Sequence, residues 1–194
     1  MIGHRTENVG LSFVDVDVAH GIDLAMEHLV ELGHRRIGLV TVDPFAEDKT
    51  YGYTSWALEA YQRACARYDL PALARVGGPT SEELFEVAGQ LLDEDPGVTA
   101  LIAPQEQSVI GVIKAAQTRG TRIPAELSVV GIVGDSMAEV ATPPLTTISF
   151  PAEEIGEVAA RILLERIDLE LAAPQQAYVE PTMTIRGSTG RAPA

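Results

Sequence analysis

Residues 28–40, HLVELGHRRIGLV, pass from a helical to a strand-like pattern across a single glycine. Upstream, Ile22, Ala25, Met26, Leu29 and Leu32 recur at intervals of three and four and make one apolar helix face. Gly33 is placed to end that helix as a residue free to take left-handed dihedrals. His34, Arg35 and Arg36 follow where the negative end of the helix dipole favours cations. RIGLVTV (36–42) then reads as a buried strand. On this reading His28 and His34 are solvated or capping histidines, because a spacing of six across a helix end does not suit metal ligation.

The same alternation runs outward in both directions. LSFVDVD (11–17) has the β-branched and aromatic content of a strand, and Asp17 can cap the helix after it. SWALEAYQRACARYDL is helical and stops before Pro71. ALARVG is a short strand, and Thr80 with Glu83 forms a capping box for the next helix. VTALIAP, the helix SVIGVIKAAQTRG closed by Gly120, and the strand LSVVGIV continue the series. PPLTTISF is extended, Pro151 opens a helix, and YVEPTMTIRG reads as a final strand. Strands alternating with helices predict an α/β fold: a mostly parallel sheet with helices on both faces.

Composition narrows the class. The chain has 194 residues, 46% of them hydrophobic, which is enough for a sizeable core. Its formal net charge of −14 repels phosphate backbones, so this chain alone is a poor nucleic-acid binder. A single cysteine rules out an internal disulfide and fits a reducing cytoplasm. No apolar run is long enough to span a bilayer, so no membrane partner is expected.

Motifs of catalysis are missing. VGGPTS lacks the lysine and spacing of a phosphate loop, and neither G-x-G-x-x-G nor G-x-S-x-G occurs. Cys65 shares a helix face with Leu58 and Tyr61 and reads as a packed thiol. No enzyme activity, cofactor or metal is expected.

Several stretches in order resemble the effector-binding domain of the lactose-repressor/galactose-repressor (LacI/GalR) family of bacterial transcription regulators. They are FVDVD…LAMEHLVELGHRRIGLV, GYTSWALEAYQRA, VTALIAP…IGVIKAAQTRGTRIPAELSVVGIV, TPPLTTISFPAEEIGEVAARILLERI and EPTMTIRGSTG, of which LGHRRI, TPPLTTI and RGSTG are the most specific. The resemblance implies a periplasmic-binding-protein-like fold: two parallel-sheet subdomains joined by three crossovers, with a small effector, a sugar or related metabolite, in the cleft between them. It makes LGHRRI the first crossover, PPLTTISF the second and the stretch after Leu171 the third. Residues 1–33 and 147–171 would then form a partial N-terminal subdomain, 34–146 and 172–187 a complete C-terminal one, and 188–194 a tail. The family's DNA-binding helices would lie upstream of Met1, so operator DNA is a partner only through a region outside this chain. A homodimer is implied, and a solute-binding protein of a transport system is the alternative.

Ligands in parallel sheets bind beyond the carboxyl ends of the strands. Candidate effector contacts are therefore Lys49 and Tyr51 after the second strand, Pro79 after the third, Gln105 after the fourth, and Val133 with Asp135 after the fifth. Asp17 and His20 would face them from the other subdomain. By the resemblance, Lys49 stands where the family has arginine, Pro79 replaces an aromatic, and Val133 replaces a ligand-gripping aspartate. Trp56 and Tyr53 are expected chiefly in helix packing.

Overall fold

The structure is a computed structural model that describes residues 1–3, 10–43, 52–168 and 173–193. Its elements alternate from the start: β1 (Phe13–Val16), α1 (Val18–Glu31), β2 (Ile37–Val42), α2 (Tyr53–Arg67), β3 (Leu73–Gly77), α3 (Ser81–Glu94) and β4 (Ala100–Ala103). Then follow α4 (Glu106–Arg119), β5 (Ser128–Ile132), α5 (Asp135–Val140), β6 (Thr146–Ser149), α6 (Ala152–Asp168), β7 (Gln176–Val179) and β8 (Thr182–Thr184).

The strands form two sheets. The larger has the order β3-β2-β4-β5-β6-β8, and the smaller pairs β1 with β7. Every pairing is parallel except that of β6 with β8. Helices α1 and α2 cover one face of the larger sheet, where Ile22, Met26, Leu29 and Tyr61 pack with Leu39, Ile102 and Val130. Helices α3 and α4 cover the other, where Leu84, Leu91, Val109 and Val112 meet Val40, Leu101 and Val129. A fully apolar strand pattern, such as the all-buried β4 and β5, follows from this two-sided cover.

The local punctuation behaves as read. Asp17 caps α1 by accepting from the His20 N–H at 2.8 Å. Gly33 has φ of 93°, and the His34 N–H donates to the Leu29 carbonyl across it, which closes α1 in a Schellman turn. Arg35 donates to the Val30 carbonyl, as a cation at that helix end should. Both halves of the Thr80–Glu83 capping box are formed. Cys65 is buried among apolar neighbours.

Four expectations need correction. LGHRRI is not where the chain changes sheets. Helix α1 buries its apolar stripe against the larger sheet, so the change occurs at Asp17, between β1 and α1. The sequence pattern gave the stripe but not which sheet it would cover. The last change of sheet is also displaced from the stretch after Leu171: β7 pairs with β1 through Val179, and only β8 joins the larger sheet. YVEPTMTIRG is thus two strands, broken at Glu180-Pro181, where the proline has no N–H for either ladder. Residues 188–192 are likewise no tail, since Ser188 is 1% exposed and the Ala192 N–H donates to the Leu32 carbonyl.

The three crossings lie together. The Asp17 N–H donates to the Val179 carbonyl at 3.0 Å. Ser149 and Thr182 hydroxyls are 3.2 Å apart. A Cβ at Gly21 would meet Ile148 at 3.1 Å and Pro181 at 3.5 Å, so only glycine lets α1 approach both links this closely.

Candidate functional site at the switch point of the larger sheet

The chain winds from β2 outward to β3, then returns past β2 to β4. The crevice between the carboxyl ends of β2 and β4 is therefore the switch point at which parallel sheets hold ligands. Polar groups gather there. Thr41 at the end of β2 and Gln105 just beyond β4 exchange hydrogen bonds at 3.1–3.2 Å, and the Ser108 hydroxyl donates to Gln105 at 2.8 Å. Tyr53, at the start of α2, donates to the Pro104 carbonyl at 2.7 Å and meets Phe150 edge-on at 6.1 Å. Burial first, and then the Asp15 carboxylate, raise the Tyr53 hydroxyl well above the ordinary tyrosine range. Phe150 belongs to the link after β6, so Tyr53 joins the end of β4 to one of the crossings between the two bodies.

A cavity of about 240 Å³ begins one helical turn further along α2, lined by Asp17 and Val18 from the first crossing, Trp56, Glu59 and Arg63 of α2, and Tyr178 of β7. Trp56 is half-buried, covers Gly52 and lines this cavity. The cavity draws one wall from the larger body and the other from the smaller. Asp17 is common to cavity, crossing and helix cap.

The predicted site residues do not all converge. Gln105 borders the crevice, Asp17 lines the cavity, and His20 sits in the first turn of α1 beside Asp17. Pro79 lies exposed in the turn after the edge strand β3. Val133 is 7% exposed and packs into the core beneath α5. Asp135 opens α5 and is paired with Arg186 at 2.7 Å. Lys49 and Tyr51 lie outside the described residues. Sequence reasoning passed over Asp15, Thr41 and Phe150. The alternation in FVDVD could have revealed Asp15, since a period of two puts Asp15 and Asp17 on one face.

Among the described residues, no group of three or more His, Cys, Asp or Glu side chains could hold a metal ion. No helix among them is long and apolar enough to cross a membrane. The site offers hydroxyl and amide donors, carboxylate acceptors and aromatic faces.

Two sheets, three adjacent crossings and a cavity walled by both bodies define a domain of the periplasmic binding-protein type. Residues 26–189 match the periplasmic binding protein-like domain family. The chain belongs to that family, in the form carried by LacI/GalR transcription regulators. It is 32% identical over 181 residues to the HTH-type transcriptional regulator CelR of Thermobifida fusca, covering 92% of this chain and 52% of CelR. It is 30% identical over 172 residues to the HTH-type transcriptional repressor CytR of Escherichia coli K12, covering 87% of this chain and 49% of CytR. This chain thus spans about half the length of these relatives. Among solved structures, a CelR–cellobiose complex superimposes with a TM-score of 0.83 at 28% identity, covering 96% of this chain and 57% of the other. A dimeric Lac repressor with an 11-residue C-terminal deletion gives 0.81 at 25% identity, covering 94% and 65%.

Proposed function

We propose that this chain is the effector-sensing and dimerising part of a bacterial DNA-binding transcription regulator. Its effector is a small hydroxylated metabolite, a sugar or a close relative of one. The observation that carries the reading is the polar cluster at the switch point, where half-buried Gln105 holds the buried Thr41 and Ser108 beside Tyr53 and Phe150 of a crossing between the bodies. Hydroxyl-rich ligands need such matched donors and acceptors, because a buried unmatched polar group costs about 1–3 kcal/mol. Asp15 and Asp17 supply acceptors, and Tyr53, Trp56 and Phe150 supply ring faces. That CelR was crystallised with cellobiose supports the ligand class.

The regulatory step is a shift of population. A ligand that touches both bodies favours one angle between them, and it biases the equilibrium only by its difference in affinity for the two states. No catalysis is involved. DNA is read by a region outside this chain, whose own charge of −14 opposes phosphate binding. The second copy docks on the apolar groove between α4 and α5, where Ile110 is 47% and Val140 80% exposed. That a Lac repressor similar in fold was solved as a dimer supports a dimer as such.

The test is a thermal-shift panel of mono- and disaccharides with their phosphates, run on this chain and on Gln105→Ala. A ligand at 100 times its Kd stabilises the folded state by about 2.7 kcal/mol. The expected result is a saturable shift for one member that Gln105→Ala removes. A saturable shift unchanged in Gln105→Ala moves the ligand out of the crevice, and silence across the panel overturns the ligand class.

A further inference from the structure

The most family-specific stretches avoid the crevice and meet at the opposite end of the strands. There, His34 is wholly buried between the start of β2 and the C-terminal stretch. Its Nδ1 lies 2.8 Å from the Thr99 hydroxyl, just ahead of β4. Its Nε2 lies 3.0 Å from both the Ser128 hydroxyl at the head of β5 and the Gly190 carbonyl. A carbonyl only accepts, so Nε2 carries the hydrogen; in the neutral ring that full burial favours, Nδ1 then accepts from the Thr99 hydroxyl, which makes the ring a single-tautomer bridge. The network continues on both sides. His28 Nε2 lies 3.0 Å from the Thr189 hydroxyl, which lies 2.9 Å from that of Thr146. The Gly190 N–H donates to Ser128, and Ser188 joins the Val129 carbonyl to the Thr146 N–H. This overturns the expectation of a solvated His34. The basic cluster beside it gave no hint, because Arg35 and Arg36 do point to solvent.

We propose that His34 is a proton-operated clasp: neutral, it fastens residues 188–192 across the amino ends of β4 and β5, and protonated, it releases them. A charge on the ring would be buried without a counter-ion. From α1 it faces His28, itself influenced by Glu31, and on its own junction it faces Arg35. From β4, β5 and the C-terminal stretch its hydrogen-bonding partners are two hydroxyls and a carbonyl, and the Arg191 that follows Gly190 is an exposed cation. Among the described residues no carboxylate bonds to the ring. Burial, outweighing the Gly190 carbonyl, holds the ring below its ordinary value of 6.5. The folded value is thus the depressed one. The unfolded or released histidine binds the proton more readily, and the fastening weakens as pH falls below 6.5 towards the folded value.

Two measurements on the chain test this. Nitrogen-detected imidazole NMR between pH 5 and 8 should show His34 as the Nε2–H tautomer, titrating below 6.5. Over the same range, hydrogen exchange should show the Ala192 amide, corrected for intrinsic rate, losing protection by up to about tenfold per pH unit between 6.5 and the folded value, while the β4 amides change less than about twofold. In a His28→Gln background, which removes the other histidine holding this stretch, the pH dependence should persist, and adding His34→Gln to it should make the dependence vanish. Protection at Ala192 that stays flat through the His34 titration, or a pH dependence that His28→Gln alone abolishes or that survives in the double variant, overturns the clasp. The titration in His28→Gln decides the matter where the double variant does not fold.

Discussion

Replacing Ser188 with alanine removes one oxygen and should cost far more than a surface hydroxyl. Ser188 is 1% exposed. Its hydroxyl donates to the Val129 carbonyl at 2.6 Å and accepts from the Thr146 N–H at 2.7 Å. Alanine fits the space but satisfies neither group. Each buried backbone group left without a partner costs about 1–3 kcal/mol. The carbonyl has a second lone pair to offer elsewhere, so the pair together is placed at about 2–4 kcal/mol. With a urea m-value of about 2.5 kcal/mol/M, the unfolding midpoint should fall by roughly 0.8–1.6 M. Ser136→Ala, on the exposed side of α5, serves as the control and should move the midpoint by under about 0.2 M. A Ser188→Ala midpoint within the control's range would refute the account of this end of the sheet as a buried polar lock.

Tyr61→Phe should lose about 2–3 kcal/mol by the same assay, because the hydroxyl donates to the Ile37 carbonyl and accepts from the Leu73 N–H, tying β3 to β2. Gly111→Val should lower Tm by about 4–8 °C in calorimetry, since even a Cβ there would stand 2.7 Å from the Phe85 backbone nitrogen, which cannot swing aside. Asp17→Ala should cost about 1 kcal/mol through the lost α1 cap and, in titration calorimetry, weaken whatever ligand the thermal panel identifies. The Asp93, Asp95, Glu83 and Glu126 carboxylates are held below their ordinary 3.8 or 4.5, led in each case by a hydrogen bond, from Arg119, Arg36, Thr80 and Arg122 respectively. Their stabilisation is present above the unfolded values and lost as pH falls through the lower folded ones. An acid transition that starts below about 4.5 and is blunted by 1 M salt is the expected signature.

The element series was legible because period and punctuation are local. Gly33, Gly120, Thr80 and the proline stops each act within a turn of chain. Sheet membership was not, because the apolar stripe of α1 fits either sheet and only the assembled packing chooses. The candidate site was half legible. Gln105 and Asp17 follow from the rule of strand ends, whereas the neutralisation of Asp135 depends on Arg186, fifty-one residues away in sequence. His34 was misread for a related reason: its three partners lie 65, 94 and 156 residues off, and a histidine between a glycine and two arginines looks like surface. Helix α5 was missed because six residues hold too few turns to show a period.

The three adjacent links between the bodies differ in stiffness. Two of them contain proline, Pro151 and Pro181, whose rings fix one of the two soft backbone angles. The remaining link, Val16–Asp17–Val18, has both angles at each residue, so twisting of one body against the other concentrates there. One Asp17 oxygen already holds the amino end of α1, while the residue borders the cavity between the bodies. A ligand pulling on that carboxylate therefore applies its torque at the most compliant joint, with a fourteen-residue helix as the lever arm.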